Sequence, residues 1–185
     1  MPVLTKETCL FPESLLESPD SMAVDSQWMV LYTKPRQEKS LARDLLRRMV
    51  PFYLPLVKKT LRYGRRRMAS FAPLFEGYLF VLGAEQQRTM SLATNRVVRI
   101  LPVNDGERLI ADLRQIERLI EANVPLTMES RLQAGRKVRV RNGSFAGVEG
   151  VVLQRRGKTR LLVSINFLQQ GASVEIEDFC LEPLD

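Results

Sequence analysis

The chain has 185 residues, and 45% of them are hydrophobic, which fits one ordinary globular domain or two small ones. Its formal charge is +7, and because it contains no histidine and only two cysteines, the composition argues against histidine-dependent triads, zinc sites and disulfide frameworks. No run approaches the roughly 18 apolar residues that a membrane helix needs. We therefore expect a cytoplasmic, non-enzymatic protein without a metal site, a cofactor or a membrane partner.

The charge is unevenly distributed along the chain. Residues 1–27 contain one lysine and five acidic residues, whereas residues 28–185 have a net charge of +11. A strongly basic body favours a polyanionic partner, most commonly nucleic acid, with a merely well-solvated surface as the alternative. The acidic stretch contains three prolines and several serines, so we predict a flexible tail at 1–27 in which Leu15 and Leu16 form at most a short docking turn.

The first ordered elements are predicted from residue 28 onward. The apolar run WMVLY (28–32) indicates a buried strand, and residues 34–49 have the spacing of an amphipathic helix. The inner face of this helix is predicted to contain Leu41, Leu45, Leu46 and Met49. A second face collects basic side chains at steps of three and four residues, namely Arg36, Lys39, Arg43 and Arg47. We predict that this basic stripe contacts nucleic acid; the alternative is a solvated helix surface.

Further strands and helices follow up to residue 120. The segment FYLPLV (52–57) indicates a strand that contains Pro55 and therefore lies near a sheet edge. Residues 58–71 predict a hairpin with a tip at 63–67, whose arginines either bind phosphates or keep the loop soluble. The remaining predictions are a strand at 78–83, a helix at about 85–93, a strand at 96–101 and a helix with Leu109, Leu113, Ile116 and Ile120 inside. Together these elements indicate an α+β domain.

The C-terminal region has a different pattern. Residues 123–134 show no clear periodicity and are predicted to form a linker. After them, five short β-type segments occupy roughly fifty residues, which predicts a small closed or partly closed barrel. The predicted domains are therefore a flexible acidic tail (1–27), an α+β domain (28–122), a linker (123–134) and a β-barrel (135–185).

The stretch NGSFAGVEGVV (142–152), followed by LQRRGKT, invites comparison with a phosphate-binding loop. Such a loop requires Gly, four residues, then Gly-Lys-Ser/Thr at the start of a helix. Here Val152 occupies the first glycine position, and the residues after GKT are β-branched and alternating, which favours a strand. We therefore predict no nucleotide site. The glycines are assigned instead to chain geometry, with a left-handed turn at Gly143 and tight bends at Gly147 and Gly150.

Two blocks of motifs resemble a known family. GRKVRVRNGSFAGVEGVV (135–152) resembles the KOW motif, which ribosomal proteins share. WMVLYTKPRQEKSLARDLLRR, FYLPLV, PLFEGYLFV and TNRVVRIL, in that order, resemble the N-terminal (NGN) domain of NusG-like transcription factors. The resemblance covers residues 28–185, about 85% of the chain, and its opening motifs look closer to the specialised RfaH-like members than to general NusG.

The resemblance implies a transcription elongation and antitermination factor. In this family the N-terminal domain binds the clamp helices of the RNA polymerase β′ subunit, reaches toward the β subunit, suppresses pausing and borders the non-template DNA strand. The KOW domain recruits a second partner, either the termination factor Rho or a small-subunit ribosomal protein. The alternative function is a ribosome-associated KOW-type RNA-binding protein.

Matching positions imply three sets of site residues. The family's aromatic polymerase-binding patch corresponds to Phe75, Tyr78 and Phe80, with sheet core as the alternative. The residues at or beside the DNA-contacting positions are Lys34, Arg36, Arg47, Arg48 and Thr94, and the basic stripe adds Arg43. In the KOW domain the partner-binding positions are Phe167 and Leu168, with barrel packing as the alternative.

Three departures from the family pattern affect these expectations. Glu76 replaces the usual proline of the turn before Tyr78, although Gly77 still supplies a flexible position. Arg96 replaces a usual glycine and adds a charge near the expected DNA path. The segment QRTM (87–90) replaces the polar segment with which RfaH-like members contact the β subunit, so this chain lacks the usual side chains for that contact.

Overall fold

The computed structural model describes residues 7–17, 25–63, 66–129, 135–155, 158–176 and 181–184. The chain divides into two compact units, Met1–Gly106 and Glu107–Asp185. This division lies upstream of the predicted boundaries at residues 122 and 134, and it groups nearly all of the last helix with the C-terminal strands. No helix in the described part of the chain is both long and apolar enough to cross a bilayer.

The described residues of the first unit form an antiparallel sheet, a separate hairpin and two helices, which makes it an α+β unit as predicted. In chain order its elements are β1 (Leu10–Phe11), β2 (Gln27–Thr33), α1 (Glu38–Arg47), β3 (Phe52–Tyr53), β4 (Leu56–Tyr63), β5 (Arg66–Pro73), β6 (Tyr78–Gly83), α2 (Glu85–Leu92) and β7 (Val97–Pro102). The sheet has the strand order β1-β3-β6-β2-β7, and β4 pairs with β5 as the predicted hairpin. The side chains of the arginine-rich hairpin tip lie outside the described part of the chain.

One face of the sheet packs against α1. Strand side chains alternate between the two faces of a sheet, whereas apolar side chains three or four residues apart share one face of a helix. The resulting buried cluster contains Met29 and Leu31 from β2, Leu79 and Val81 from β6, and Leu41, Ala42 and Leu45 from α1. Since a fully buried leucine contributes about 1.5–3 kcal/mol, this layer fixes the helix on the sheet.

The first helix is shorter than the predicted range 34–49. Arg36 adopts a left-handed conformation with φ of 61°, so the helix begins only at Glu38. Beyond its other end Met49 is also left-handed, with φ of 55°, and the chain then reaches Pro51. This reversal takes Met49 out of the helical periodicity and leaves it 68% exposed, so its prediction as an inner-face residue is wrong.

The predicted strand at 52–57 is divided by Leu54 and Pro55. Its first part, β3, pairs with β1 on one side and β6 on the other, so it lies inside the sheet rather than at an edge. Its second part begins β4 at Leu56. Proline has no N–H to continue a ladder, and here the carbonyl of Pro55 instead accepts the N–H of Leu74 at 2.8 Å.

Residues 7–17 correct the prediction that the N-terminal segment is a flexible tail. Strand β1 pairs with β3, and the carbonyl of Cys9 accepts the N–H of Leu54 at 2.7 Å. Leu15 and Leu16 are buried in the hydrophobic core. Burial of apolar side chains therefore fixes this part of the acidic segment to the first unit, which composition alone does not predict.

The described residues of the second unit form one α-helix, a short 3-10 helix and one antiparallel sheet. Its elements are α3 (Gly106–Glu121), β8 (Thr127–Glu129), β9 (Lys137–Val140), β10 (Glu149–Arg155), β11 (Lys158–Ile165), β12 (Gln170–Glu175) and β13 (Leu181–Pro183). The strand order is β13-β9-β10-β11-β12-β8, which confirms the five predicted C-terminal strands. Closure of this sheet into a barrel stays a prediction. Helix α3 buries Leu109, Leu113 and Ile116 as predicted, with Leu119 in place of Ile120.

The segment predicted as a linker contributes the extra strand β8. This strand pairs with β12, and Arg160 donates a hydrogen bond from Nη2 to the hydroxyl oxygen of Thr127 at 2.9 Å. Residues 130–134 lie outside the described part of the chain. The pairing satisfies backbone groups that an uncovered β12 would expose at the sheet edge, so residues 127–129 are part of the sheet.

The glycine-rich stretch serves chain geometry. Gly143 and Gly147 have φ values of 83° and 81°, which L-residues rarely adopt. At Gly150 a Cβ would lie only 2.4 Å from the carbonyl oxygen of Leu162 on the neighbouring strand. Lys158 begins a strand and not a helix, so the geometry agrees with the prediction that GKT does not form a phosphate loop.

The burial of the N-terminal segment generates a stability prediction. Leu15→Ala should lower the free energy of unfolding by about 2–5 kcal/mol, because it removes a buried side chain from the core. Urea unfolding monitored by circular dichroism measures the change. The control is Glu13→Ala, an exposed neighbour, which should shift stability by less than about 0.5 kcal/mol. If the two variants are equally stable, Leu15 contributes nothing to the core and the prediction of a flexible tail stands.

Candidate functional site

An aromatic pair lies at one end of the ladder between β2 and β6. Tyr32 and Tyr78 are directly opposite in the register, their ring centroids are 5.3 Å apart, and the rings are tilted by 46°. Tyr32 is 40% exposed and Tyr78 is half-buried. Tilted aromatic pairs at this distance are favourable, so the two rings form one partly exposed apolar surface, which we call the tyrosine pair.

The other two rings of the predicted patch are in the core. Phe75 and Phe80 are 1% and 0% exposed, and the ring of Phe80 lies 6.4 Å from that of Tyr53. Neither ring can contact a partner directly in this structure, which corrects that part of the patch. Sequence reasoning missed Tyr32. Strand alternation in WMVLY could not have identified it, because Trp28 and Val30 fall on the same face of the strand as Tyr32 and are both buried.

A groove of about 620 Å³ adjoins the tyrosine pair. It combines apolar walls with charged side chains of both signs, and all of its residues belong to the first unit. The lining consists of Tyr32, Thr33, Pro35, Arg36, Glu38, Lys39, Phe71, Ala72, Pro73, Glu76 and Gly77. The structure therefore brings two residues of the predicted basic stripe, Arg36 and Lys39, to the same site as an exposed aromatic ring.

A buried carboxylate fixes the turn before Tyr78. Gly77 has a φ of 84°, and its N–H donates a hydrogen bond to Glu38 Oε1 at 2.7 Å. Its carbonyl accepts the N–H of Thr33 at 2.8 Å. Glu38 is only 7% exposed, and a Cβ at Gly77 would lie 3.1 Å from Cε2 of Tyr32. Only glycine adopts this conformation without strain, which confirms the prediction that Gly77 supplies the conformational freedom of the turn. Hydrogen bonds with Glu38 and Thr33 then hold the turn on two sides.

Three of the predicted DNA-contacting arginines are engaged in ion pairs. Arg43 pairs with Glu7 at 3.1 Å. Asp44 pairs with Arg47 at 2.9 Å and with Arg96 at 2.7 Å, and the guanidinium of Arg96 also donates to the side chain of Gln37. Arg96 therefore links the start of β7 to α1. The basic stripe is partly neutralised by acidic residues, one of which comes from the N-terminal segment.

The other predicted basic residues remain available. Lys34, Arg36 and Arg48 are exposed, and none of them has an ion-pair partner among the described residues. Lys34 and Arg36 precede α1 and Arg48 follows it, so the helix separates them by about 15 Å at 1.5 Å per residue. Thr94 is half-buried, and its hydroxyl donates to the carbonyl of Ser91 at 2.7 Å, which engages it in the turn after α2.

The C-terminal candidate residues lie on a short 3-10 helix, Asn166–Leu168, between β11 and β12. Phe167 is 39% exposed and Leu168 is half-buried. The preceding residue, Ile165, is fully buried and anchors the segment in the sheet. The geometry therefore presents one aromatic ring at the surface of the second unit.

The charges of the second unit are paired across its strands. Arg139 pairs with Glu149 at 2.6 Å, and Lys158 pairs with Glu175 at 2.8 Å. The hydrogen bond from Arg139 and the charge of Glu149 both raise the pKa of the Arg139 guanidinium. No group of three or more His, Cys, Asp or Glu side chains in the described part of the chain could hold a metal ion.

The contact between Glu38 and Gly77 generates the next prediction. Glu38→Ala should destabilise the fold by about 1–3 kcal/mol, because it leaves the N–H of Gly77 without its acceptor. Native-state hydrogen exchange should show faster exchange at Gly77, and Glu38→Gln, which keeps an oxygen acceptor, should have a smaller effect. The control is Glu85→Ala on α2, an exposed residue whose ion-pair partner within the described ranges is Arg88. Unchanged exchange at Gly77 in Glu38→Ala would refute the role of the carboxylate.

Two comparisons, one with protein-family models and one with individual proteins, identify the same family for this chain. The family model described as NusG, transcription termination factor nusG, matches residues 26–120, just over half of the chain. Two relatives, each described as transcription termination/antitermination protein NusG, come from Vibrio cholerae and Vibrio parahaemolyticus. Each is 32% identical to this chain over 136 residues, which is 68% of this chain and 72% of the relative. The chain therefore belongs to the NusG family.

Proposed function

We propose that this protein is a transcription elongation and antitermination factor that binds the clamp helices of RNA polymerase, suppresses pausing and contacts the non-template DNA strand. It acts by binding and not by catalysis. Within the family we place it with the specialised RfaH-like members. The observation that carries the proposal is the tyrosine pair beside a groove with basic residues, in a chain of the NusG family whose relatives are named for termination and antitermination.

The groove suits a partner helix. Aromatic side chains give a large contact area and dominate many interfaces, and an amphipathic helix binds a groove through apolar residues on one face. Tyr32 and Phe71 supply aromatic walls, while Arg36 and Lys39 provide positive charge at the same groove. A polymerase helix with apolar and acidic side chains complements this surface.

The remaining exposed cations suit the DNA backbone. Residues 28–106 contain 15 lysines and arginines and five acidic residues, a net charge of +10. Lys34, Arg36 and Arg48 have no ion-pair partner in the described part of the chain, so phosphate contact does not require breaking an existing pair. Such contacts position the protein and contain no sequence information, so any sequence preference must come from other contacts.

The second unit suits a protein partner. We assign it to the KOW class and expect Phe167 and Leu168 to contact Rho or a small-subunit ribosomal protein. Residues 107–185 contain 12 basic and 11 acidic residues, a net charge of only +1, and cross-strand pairs engage several of them. A nearly neutral surface with one exposed aromatic ring favours protein recognition over RNA binding.

The proposed function predicts an effect on transcription by purified RNA polymerase. The wild-type protein should shorten the lifetime of a defined pause, and Tyr78→Ala or Tyr32→Ala should weaken polymerase binding roughly tenfold, because each removes part of a central aromatic contact. Pause lifetime as a function of protein concentration gives the affinity. Phe167→Ala is the control, since that exposed ring belongs to the second unit and should leave the pause response unchanged.

Two outcomes would contradict these assignments. If the wild-type protein neither binds polymerase nor changes pause lifetime, the proposed function fails, and co-sedimentation with ribosomal subunits in the absence of transcription would support the ribosome-associated alternative. If pausing is suppressed but both tyrosine variants behave as wild type, the polymerase surface lies elsewhere on the chain.

The ion pairs of Asp44 predict a gain of nucleic-acid affinity. Asp44→Asn removes the acidic partner of Arg47 and Arg96, so affinity for a single-stranded DNA oligonucleotide should rise roughly twofold to fivefold at low salt and less at high salt. Fluorescence anisotropy measures the change. Glu85→Gln is the matched control, because it removes the same charge from an ion pair on α2. Equal gains in both variants would show that only net charge matters.

A further inference from the structure

The short helix that presents Phe167 is held at both of its ends. At its C-terminal end Gln169 adopts a left-handed conformation with φ of 53°, and its side-chain Nε2 donates to the carbonyl of Asn166 at 2.7 Å. At its N-terminal end the backbone N–H of Asn166 donates to Asp112 Oδ2 at 2.8 Å, and the side-chain Nδ2 reaches the same oxygen at 3.2 Å. The ring of Phe167 thus projects from a single turn that is fixed on both sides.

The N-terminal contact comes from a distant part of the chain. Asp112 lies on α3, 54 residues before Asn166, and one turn later Gln115 accepts the backbone N–H of Glu149. Residues three apart share a helix face, so one polar face of α3 contacts two backbone positions, Asn166 of the short helix and Glu149 of β10. This face lies outside the region predicted as the partner-binding domain, residues 135–185.

The short helix needs an additional contact to hold its conformation. Three-residue 3-10 helices are only marginally stable by themselves, and an aromatic ring at the surface gains little from its own burial. A carboxylate that accepts both a backbone and a side-chain N–H makes the stronger, charge-assisted type of hydrogen bond. It therefore lowers the conformational freedom that a partner would otherwise have to remove on binding.

We propose that Asp112 is a positioning residue for the Phe167 surface, so that the module that recruits a protein partner begins at α3 and not at residue 135. The proposal rests on the proposed function of the second unit. The partner class is a protein with an apolar pocket for the phenyl ring. Asp112 does not contact that partner; it acts through the geometry of Asn166–Leu168.

The test uses full-length protein and two probes, purified bacterial small ribosomal subunits and purified Rho. Phe167→Ala identifies which probe binds through the ring. For that probe, Asp112→Ala should weaken binding roughly threefold to tenfold, and Asp112→Asn, which keeps one oxygen acceptor, should weaken it less. Hydrogen exchange at Asn166 should accelerate in the same order. The matched control is Glu121→Gln, an exposed acidic residue on the same helix, which should change neither.

A double-mutant cycle separates positioning from general stability. If Asp112 acts through the ring, Asp112→Ala should have no further effect on binding in the Phe167→Ala background, whereas a general loss of folded protein would add to it. If the binding losses of the two variants add in the double mutant, or if Asp112→Ala binds normally when Phe167→Ala is impaired, the positioning role is wrong. Neither result would contradict the proposed recruitment surface. If no probe binds wild type, or if Phe167→Ala binds normally, the proposed C-terminal recruitment surface fails and the positioning role fails with it.

Discussion

The hydrogen bond between Glu38 and the backbone of Gly77 is the contact on which the surface of the first unit depends. It joins the first turn of α1 to the turn before β6 across 39 residues of chain, while Thr33 holds the same glycine from β2. A carboxylate in the first turn of a helix is favoured by the helix dipole, which offsets part of the desolvation of a buried charge. Because Tyr78 follows Gly77 directly, its ring is placed against Tyr32 by the backbone and does not need a partner to order it.

Basic side chains of the first unit fall into two groups with different physical roles. Those that pair with acids, such as Arg96 with Asp44, stabilise the association of β7 with α1 and lose part of their attraction for a polyanion. Those without described partners, such as Arg36 and Arg48, lie at the two ends of the helix, where no ion pair reduces their attraction for a polyanion. The distinction depends on a few acidic residues, so the same count of arginines could give a stronger or a weaker polyanion surface.

Periodicity predicted most elements because an element that buries one face has apolar residues at regular spacing along its sequence. The run WMVLY, the Leu41 and Leu45 spacing and the β-branched stretch after GKT all correspond to observed elements. Failures occur where long-range contacts decide. Leu15 is buried in the N-terminal segment, whose strand β1 pairs with β3 far along the chain. The failure at Met49 is local instead, because the chain reverses there before Pro51. The burial of Phe80 and the exposure of Tyr32 depend on the partners with which β6 and β2 pair, and not on local composition. Phe75 is buried from the connection between β5 and β6, which periodicity does not describe.

The two units differ in net charge, and this difference separates long-range electrostatic attraction from short-range recognition. Long-range electrostatic attraction depends on uncompensated charge, which is concentrated at residues 28–106, whereas residues 107–185 are nearly neutral. An approaching nucleic acid would therefore be attracted by the first unit, and the second unit would select its partner by shape and apolar contact at Phe167. For such a surface the geometry of one ring would matter more than its surrounding charge, and this is the physical basis of the positioning role that we propose for Asp112.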